Sequence, residues 1–67
     1  MISARNQFKG TVKSIRFGEV MAEVSMAVNG LEVVSLISRT SAERMGLKIG
    51  DQVTAIIKAT EVMVGKG

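Results

Sequence analysis

Cysteine, histidine, tryptophan and tyrosine are all missing from this 67-residue chain, and two phenylalanines are its whole aromatic content. Without cysteine there is no disulfide and no thiolate, and without histidine no imidazole to hold zinc. The same absences remove the usual nucleophile–base pairs of covalent catalysis. Six carboxylates remain: Glu19, Glu23, Glu32, Glu43, Asp51 and Glu61. The pattern places them on strand exteriors, a helix or turns, with no two close in sequence, so nothing favours an acid–base pair. The expectation is a protein that is not an enzyme. No apolar run approaches the roughly 20 residues that span a bilayer. Met1-Ile2 runs straight into polar residues, unlike a secretory leader. Cytoplasmic residence, without a membrane partner, is expected.

What is present in quantity is apolar residue: 46% of the chain, with positive mean hydropathy. A chain of about 60 residues buries only roughly 60% of its unfolded surface, and small domains generally add a disulfide, a metal or an oligomer. Composition removes the first two, so an oligomer is the staple left. The net charge of +3 is spread along the chain; it suits an anionic partner without requiring nucleic acid.

The chain reads as one domain over 1–67. Phe8 to Phe17 nearly alternates, with Phe8, Gly10 and Val12 on one face and Lys9, Thr11 and Lys13 on the other. That predicts a strand bent at Gly10. Glu19 to Val28 is a cleaner strand, followed by Asn29-Gly30, a type I′ hairpin signal. A two-residue turn pairs Val28 with Leu31, Met26 with Val33, Val24 with Ser35 and Ala22 with Ile37. The opposite face carries Val34 and Leu36, wet in a monomer and therefore read as part of an interface. Thr40 and Glu43 have capping-box spacing and predict a short helix with Thr40 as N-cap and Gly46 as the left-handed C-cap. Gln52 to Ala59 is apolar on both faces, which predicts a strand that is central or covered by a neighbour. Glu61 to Val64 is expected to be the last strand. Five strands with a helix between the third and fourth make an all-β, OB-type Greek-key barrel.

OB barrels often bind single-stranded nucleic acid through aromatic platforms. Phe8 is expected on the inner face, leaving Phe17 alone to stack, so a nucleic-acid-binding or regulatory OB module is the second reading. The first reading follows the hydrogen-bond donors. Ser3-Ala4-Arg5-Asn6-Gln7 crowds a hydroxyl, a guanidinium and two carboxamides before the first strand. Lys58 lies in Ile57-Lys58-Ala59-Thr60, and Ser38 and Ser41 flank the start of the helix, whose dipole and amides favour an anion. An Arg, a Lys, hydroxyls and amides are a donor set for an oxyanion.

Ser3-Ala4-Arg5-Asn6-Gln7, the mid-chain Ser41-Ala42-Glu43-Arg44-Met45-Gly46-Leu47 and the late segment Thr54 to Met63 together resemble the molbindin (Mop) family of small molybdate- and tungstate-binding proteins. The resemblance covers nearly the whole chain. It implies an OB-type barrel in a homo-oligomer, a hexamer built as a trimer of dimers, with oxyanion sites between subunits and no organic cofactor. The matching positions are Ser3, Ala4, Arg5, Ser38, Ser41, Lys58 and Ala59, the two alanines acting through backbone groups. Many members carry Thr where this chain has Ser38; the hydroxyl is kept. The implied role is storage and homeostasis of molybdate or tungstate, with no direct cation ligands.

Overall fold

A computed structural model describes residues 6–67. Four strands, β1 Asn6–Phe17, β2 Met21–Val28, β3 Leu31–Ser38 and β4 Gln52–Ile57, form one antiparallel sheet in the order β3-β2-β1-β4. A seven-residue helix, α1 Arg39–Met45, connects β3 to β4, and a 3₁₀ turn, Ala59–Glu61, follows β4.

The hairpin β2–β3 has the expected register, Val28↔Leu31 through Met21↔Ser38. Asn29 (φ 49°) and Gly30 (φ 79°) both take the positive φ that a type I′ turn needs. The inward residues of β2 are the core: Val24, Met26 and Val28 pack with Val12 and Ala55, and Ile15, Val33, Ile37, Leu47 and Val53 close around them.

β1 departs from the expected simple alternation. Val12 pairs with Met26 and Ser14 with Ser25, so Lys13 is an extra residue on one strand, a β-bulge. The bulge reverses which residues face inward: Val12 before it and Ile15 after it both reach the core. The bend was expected at Gly10, and Gly10 has a different task. A Cβ there would lie 2.7 Å from the Ala27 carbonyl oxygen and 2.7 Å from Val28 Cγ2, so only glycine lets β2 pass this close.

The helix starts earlier than its capping-box spacing indicates. Ser38, not Thr40, is the N-cap: its φ, ψ of −68°, 146° are extended, and its Oγ accepts from the Ser41 amide at 3.0 Å. Sheet pairing sets the boundary, because β3 stays laddered to β2 as far as Ser38 and the chain turns at once. Gly46 closes the helix as expected, with φ 61°. Its amide donates to Glu43 O and that of Leu47 to Ala42 O, a Schellman end.

Two further expectations are corrected. Of the two expectations for β4, central or covered by a neighbour, the first fails: β4 is an edge strand that pairs only with β1 among the described residues, and Ile56 on its outer face is 41% exposed. Glu61 to Val64 is not a strand here. Glu61 belongs to the 3₁₀ turn and Val62 is extended (φ −100°, ψ 121°), but the segment has no ladder partner among the described residues. A strand needs a neighbour to satisfy its backbone. Among the described residues the sheet therefore has four strands where five were expected, with both edges, β3 and β4, unpaired.

Candidate functional site

Ser38 and Ser41 are brought together where β3 becomes α1. Ser38 Oγ accepts from the Ser41 amide and donates to Ser41 Oγ at 2.8 Å. That arrangement orients both hydroxyls and leaves the proton of Ser41 Oγ to point elsewhere. The helix amides contribute less than the sequence suggests. In the first turn, the Arg39 amide donates to Val20 O at 2.8 Å and the Ser41 amide is taken by Ser38.

Arg39 is the residue that sequence reasoning missed. Its Nη1 donates to Gly18 O at 3.2 Å and its Nε to Glu43 Oε2 at 3.3 Å, while its guanidinium lies 5.6 Å from the centre of the Phe17 ring. These contacts, with its amide bond to Val20, tie the start of α1 to the β1–β2 turn and so hold the Ser38–Ser41 pair in place. The i, i+4 spacing of Arg39 and Glu43 was the available signal. Arg39 lies over one face of Phe17, the ring nominated for base stacking, and the ring stays 50% exposed. Phe8 is not inside as expected. It shares a face with its partner Ala55, yet it is 40% exposed.

Lys58 and Ala59 lie at the other end of the molecule. Lys58 is the extended residue that precedes the 3₁₀ turn, and Ala59 is the first residue of that turn. Lys58 is exposed and makes no ion pair among the described residues. Ser3, Ala4 and Arg5 lie outside the described residues; in sequence they lead directly into Asn6, whose register partner is Ile57, the neighbour of Lys58.

Following the strand directions shows what one chain can and cannot bring together. Asn6 and Ile57 mark one end of the sheet. Phe17, Ala22 and Ile37 are level at the opposite end, with Ser38 just beyond. Ten residues of β1, Gln7 to Arg16, lie between those two ends of the register. The Ser38–Ser41 pair and the Lys58–Ala59 pair are thus two separated half-sets of donors. An apolar cavity of about 480 Å³ between β3 and β4 includes neither of them.

Among the described residues, an antiparallel sheet whose third and fourth strands are joined by one short helix defines a small β domain. The profile of the TOBE domain matches residues 2–64, and the chain belongs to that family. Among its relatives, molybdenum-pterin-binding protein 3 of Clostridium pasteurianum is 48% identical over 64 residues, covering 94% of each chain. A molybdate-binding protein from Sporomusa ovata is 45% identical and superposes with a TM-score of 0.94 over 98% of both chains. The cytoplasmic molybdate-binding protein ModG, in its molybdate-bound form, is 42% identical with a TM-score of 0.88. Its match covers 94% of this chain and 45% of the ModG chain. Within the TOBE family the resemblance to the molbindin (Mop) proteins therefore holds over nearly the whole length. The names of these relatives are those of binding proteins rather than enzymes.

Proposed function

We propose that the protein binds molybdate, with tungstate an equivalent ligand, at sites formed between subunits of a homo-oligomer, and that it stores or buffers the oxyanion in the cytoplasm. The observation that carries this reading is the separation of the donors. Ser38 and Ser41 follow β3 at one end of the strand register and Lys58 and Ala59 follow β4 at the other. A second subunit completes the set by setting its Lys58 end, with Ser3, Ala4 and Arg5, against the Ser38 end of the first. The molybdate-binding relatives support the choice of ligand.

The chemistry suits a tetrahedral dianion. Arg5 offers planar, directed donors, Lys58 a compact charge, Ser3, Ser38 and Ser41 hydroxyls, and Ala4 and Ala59 backbone groups. Hydrogen bonds to charged groups contribute about 1.5–3 kcal/mol each. Micromolar affinity needs only about −8 kcal/mol, so five or six contacts suffice after the entropic cost of binding. No carboxylate belongs to the set, which disfavours protonated phosphate, because its own donor finds only weak hydroxyl acceptors.

The assembly is a hexamer, a trimer of dimers, in which each chain forms part of a closed five-stranded OB-type barrel. Val34 and Leu36, 53% and 66% exposed on the outer face of the hairpin, are the apolar surface such an assembly would cover. A ligand bound only by the assembled state stabilises that state, which suits a buffer whose capacity depends on assembly. Native mass spectrometry with and without molybdate tests both parts together. A hexamer that gains oxyanion mass is expected; a monomer or dimer without bound oxyanion overturns the reading.

A further inference from the structure

One residue anchors the start of α1 to the turn between β1 and β2. The Arg39 amide donates to Val20 O at 2.8 Å, and Arg39 Nη1 donates to Gly18 O at 3.2 Å, so the turn is held on both sides of Glu19. The guanidinium lies 5.6 Å from the centre of the Phe17 ring, and Nε donates to Glu43 Oε2 at 3.3 Å, one turn further along α1. The anchor point is itself constrained. The Gly18 amide closes the turn on Met21 O at 2.8 Å, and a Cβ on Gly18 would stand 3.2 Å from that same oxygen.

Ser38 immediately precedes Arg39, and its Oγ bonds both the amide and the hydroxyl of Ser41. The ladder to Met21 fixes Ser38 from the sheet side, and Arg39 fixes the helix from the turn side. Between them they set where the two hydroxyls stand. We propose that Arg39 is the positioning residue of the oxyanion site, acting through the Ser38–Ser41 pair without touching the ligand, and that it sets the preference for molybdate over sulfate. The assignment rests on the oxyanion reading and adds to it a residue outside the donor set.

Two observations point to geometry rather than charge. Glu43 matches the charge of Arg39 within the same helix, and the two side chains are 45% and 56% exposed, where water screens an ion pair to little net effect. Nε and Nη1 already donate within the chain. A hydroxyl, by contrast, contributes only when it is aimed. Two hydroxyls at a fixed separation therefore measure the size of a tetrahedral dianion, and sulfate is the smaller tetrahedron of equal charge. A pair left to drift fits either ion. Partners that orient metal ligands from outside typically change affinity by about 10- to 100-fold, and the exposure of these contacts puts Arg39 at the lower end.

Arg39→Met keeps an unbranched stem over Phe17 without donors, and Arg39→Lys keeps the charge without the planar fork that serves Gly18 O and Glu43 together. Titration calorimetry on the full-length chain should show molybdate Kd weakened about tenfold in both, with sulfate affected less, so that the preference narrows. Parental affinity in either variant, or an equal loss for both ions, overturns the assignment. Arg44→Met removes an exposed charge from the same helix, one in no ion pair among the described residues; a loss there as large as at Arg39 shows a charge effect and overturns it too. In a Ser41→Ala background, Arg39→Met should cost at least about threefold less than in the parent, because members of one network are not additive. An undiminished cost refutes action through the hydroxyls. Without ligand, hydrogen exchange at the Ser41 amide should quicken in Arg39→Met while the β1–β2 ladder keeps its protection, and unchanged exchange at Ser41 overturns the positioning role. A parent chain that takes up no molybdate refutes the oxyanion reading and this assignment with it; a parent that binds, with Arg39 variants that bind alike, refutes the assignment alone.

Discussion

Replacing Ser38 in three ways separates its structural role from its proposed role at the ligand. Its Oγ caps α1 through the Ser41 amide and orients the Ser41 hydroxyl. Ser38→Ala removes both, and loss of an N-cap costs about 0.5–2 kcal/mol. For a domain of this size that lowers Tm by roughly 4–8 °C per kcal/mol. Ser38→Gly costs the cap only a few tenths of a kcal/mol, yet it also lacks the hydroxyl. If that hydroxyl donates to the oxyanion, its loss removes about 1.5–3 kcal/mol of binding, a roughly 10- to 150-fold weaker Kd at about 1.4 kcal/mol per decade. Ser38→Thr keeps cap and hydroxyl and should bind within a few-fold of the parent. Titration calorimetry with molybdate gives Kd, and thermal melts at one protein concentration give stability, a precaution needed because assembly makes Tm depend on concentration. The informative variant is Ser38→Gly: a near-parental melt with unchanged Kd refutes direct contact between Ser38 and the ligand.

Three other predictions follow from the same geometry. Arg5→Ala should abolish most molybdate binding while a folded oligomer persists, and parental affinity in calorimetry would show the donor assignment to be wrong. Gly10→Ala sets a Cβ 2.7 Å from Ala27 O, so β1 and β2 must separate. Overpacking of this kind costs about 1–3 kcal/mol, and a Tm change below about 2 °C would mean that the close approach relaxes without cost. Phosphate at neutral pH should compete poorly with molybdate in displacement titrations, and equal affinity would contradict a site built without a carboxylate acceptor.

The local features of this chain were legible because their causes lie within a few residues. Asn29-Gly30 specified its turn and, through it, every pair from Val28↔Leu31 to Ala22↔Ile37, since a two-residue hairpin leaves no other register. Gly46 announced the end of α1 because αL backbone favours glycine. The start of α1 was misplaced by two residues, because Thr40–Glu43 and Ser38–Ser41 both have cap-like spacing and the ladder to β2 chose between them. The Lys13 bulge was equally hidden: whether one residue is left out of pairing depends on how two strands meet.

The sequence by itself determined the chemistry: which donors exist, that no thiol or imidazole accompanies them, and that the apolar surplus exceeds what a small domain buries alone. Only the tertiary structure decided where those donors stand. Asn6↔Ile57 and Met21↔Ser38 place the Lys58 and Ser38 clusters at opposite ends of one sheet, and such pairing joins residues too far apart in the chain for any spacing to encode. The double-sided apolar pattern of Gln52 to Ala59 and the exposed apolar run Val62 to Val64 share that explanation. Hydrophobicity favours burying a surface without specifying what covers it.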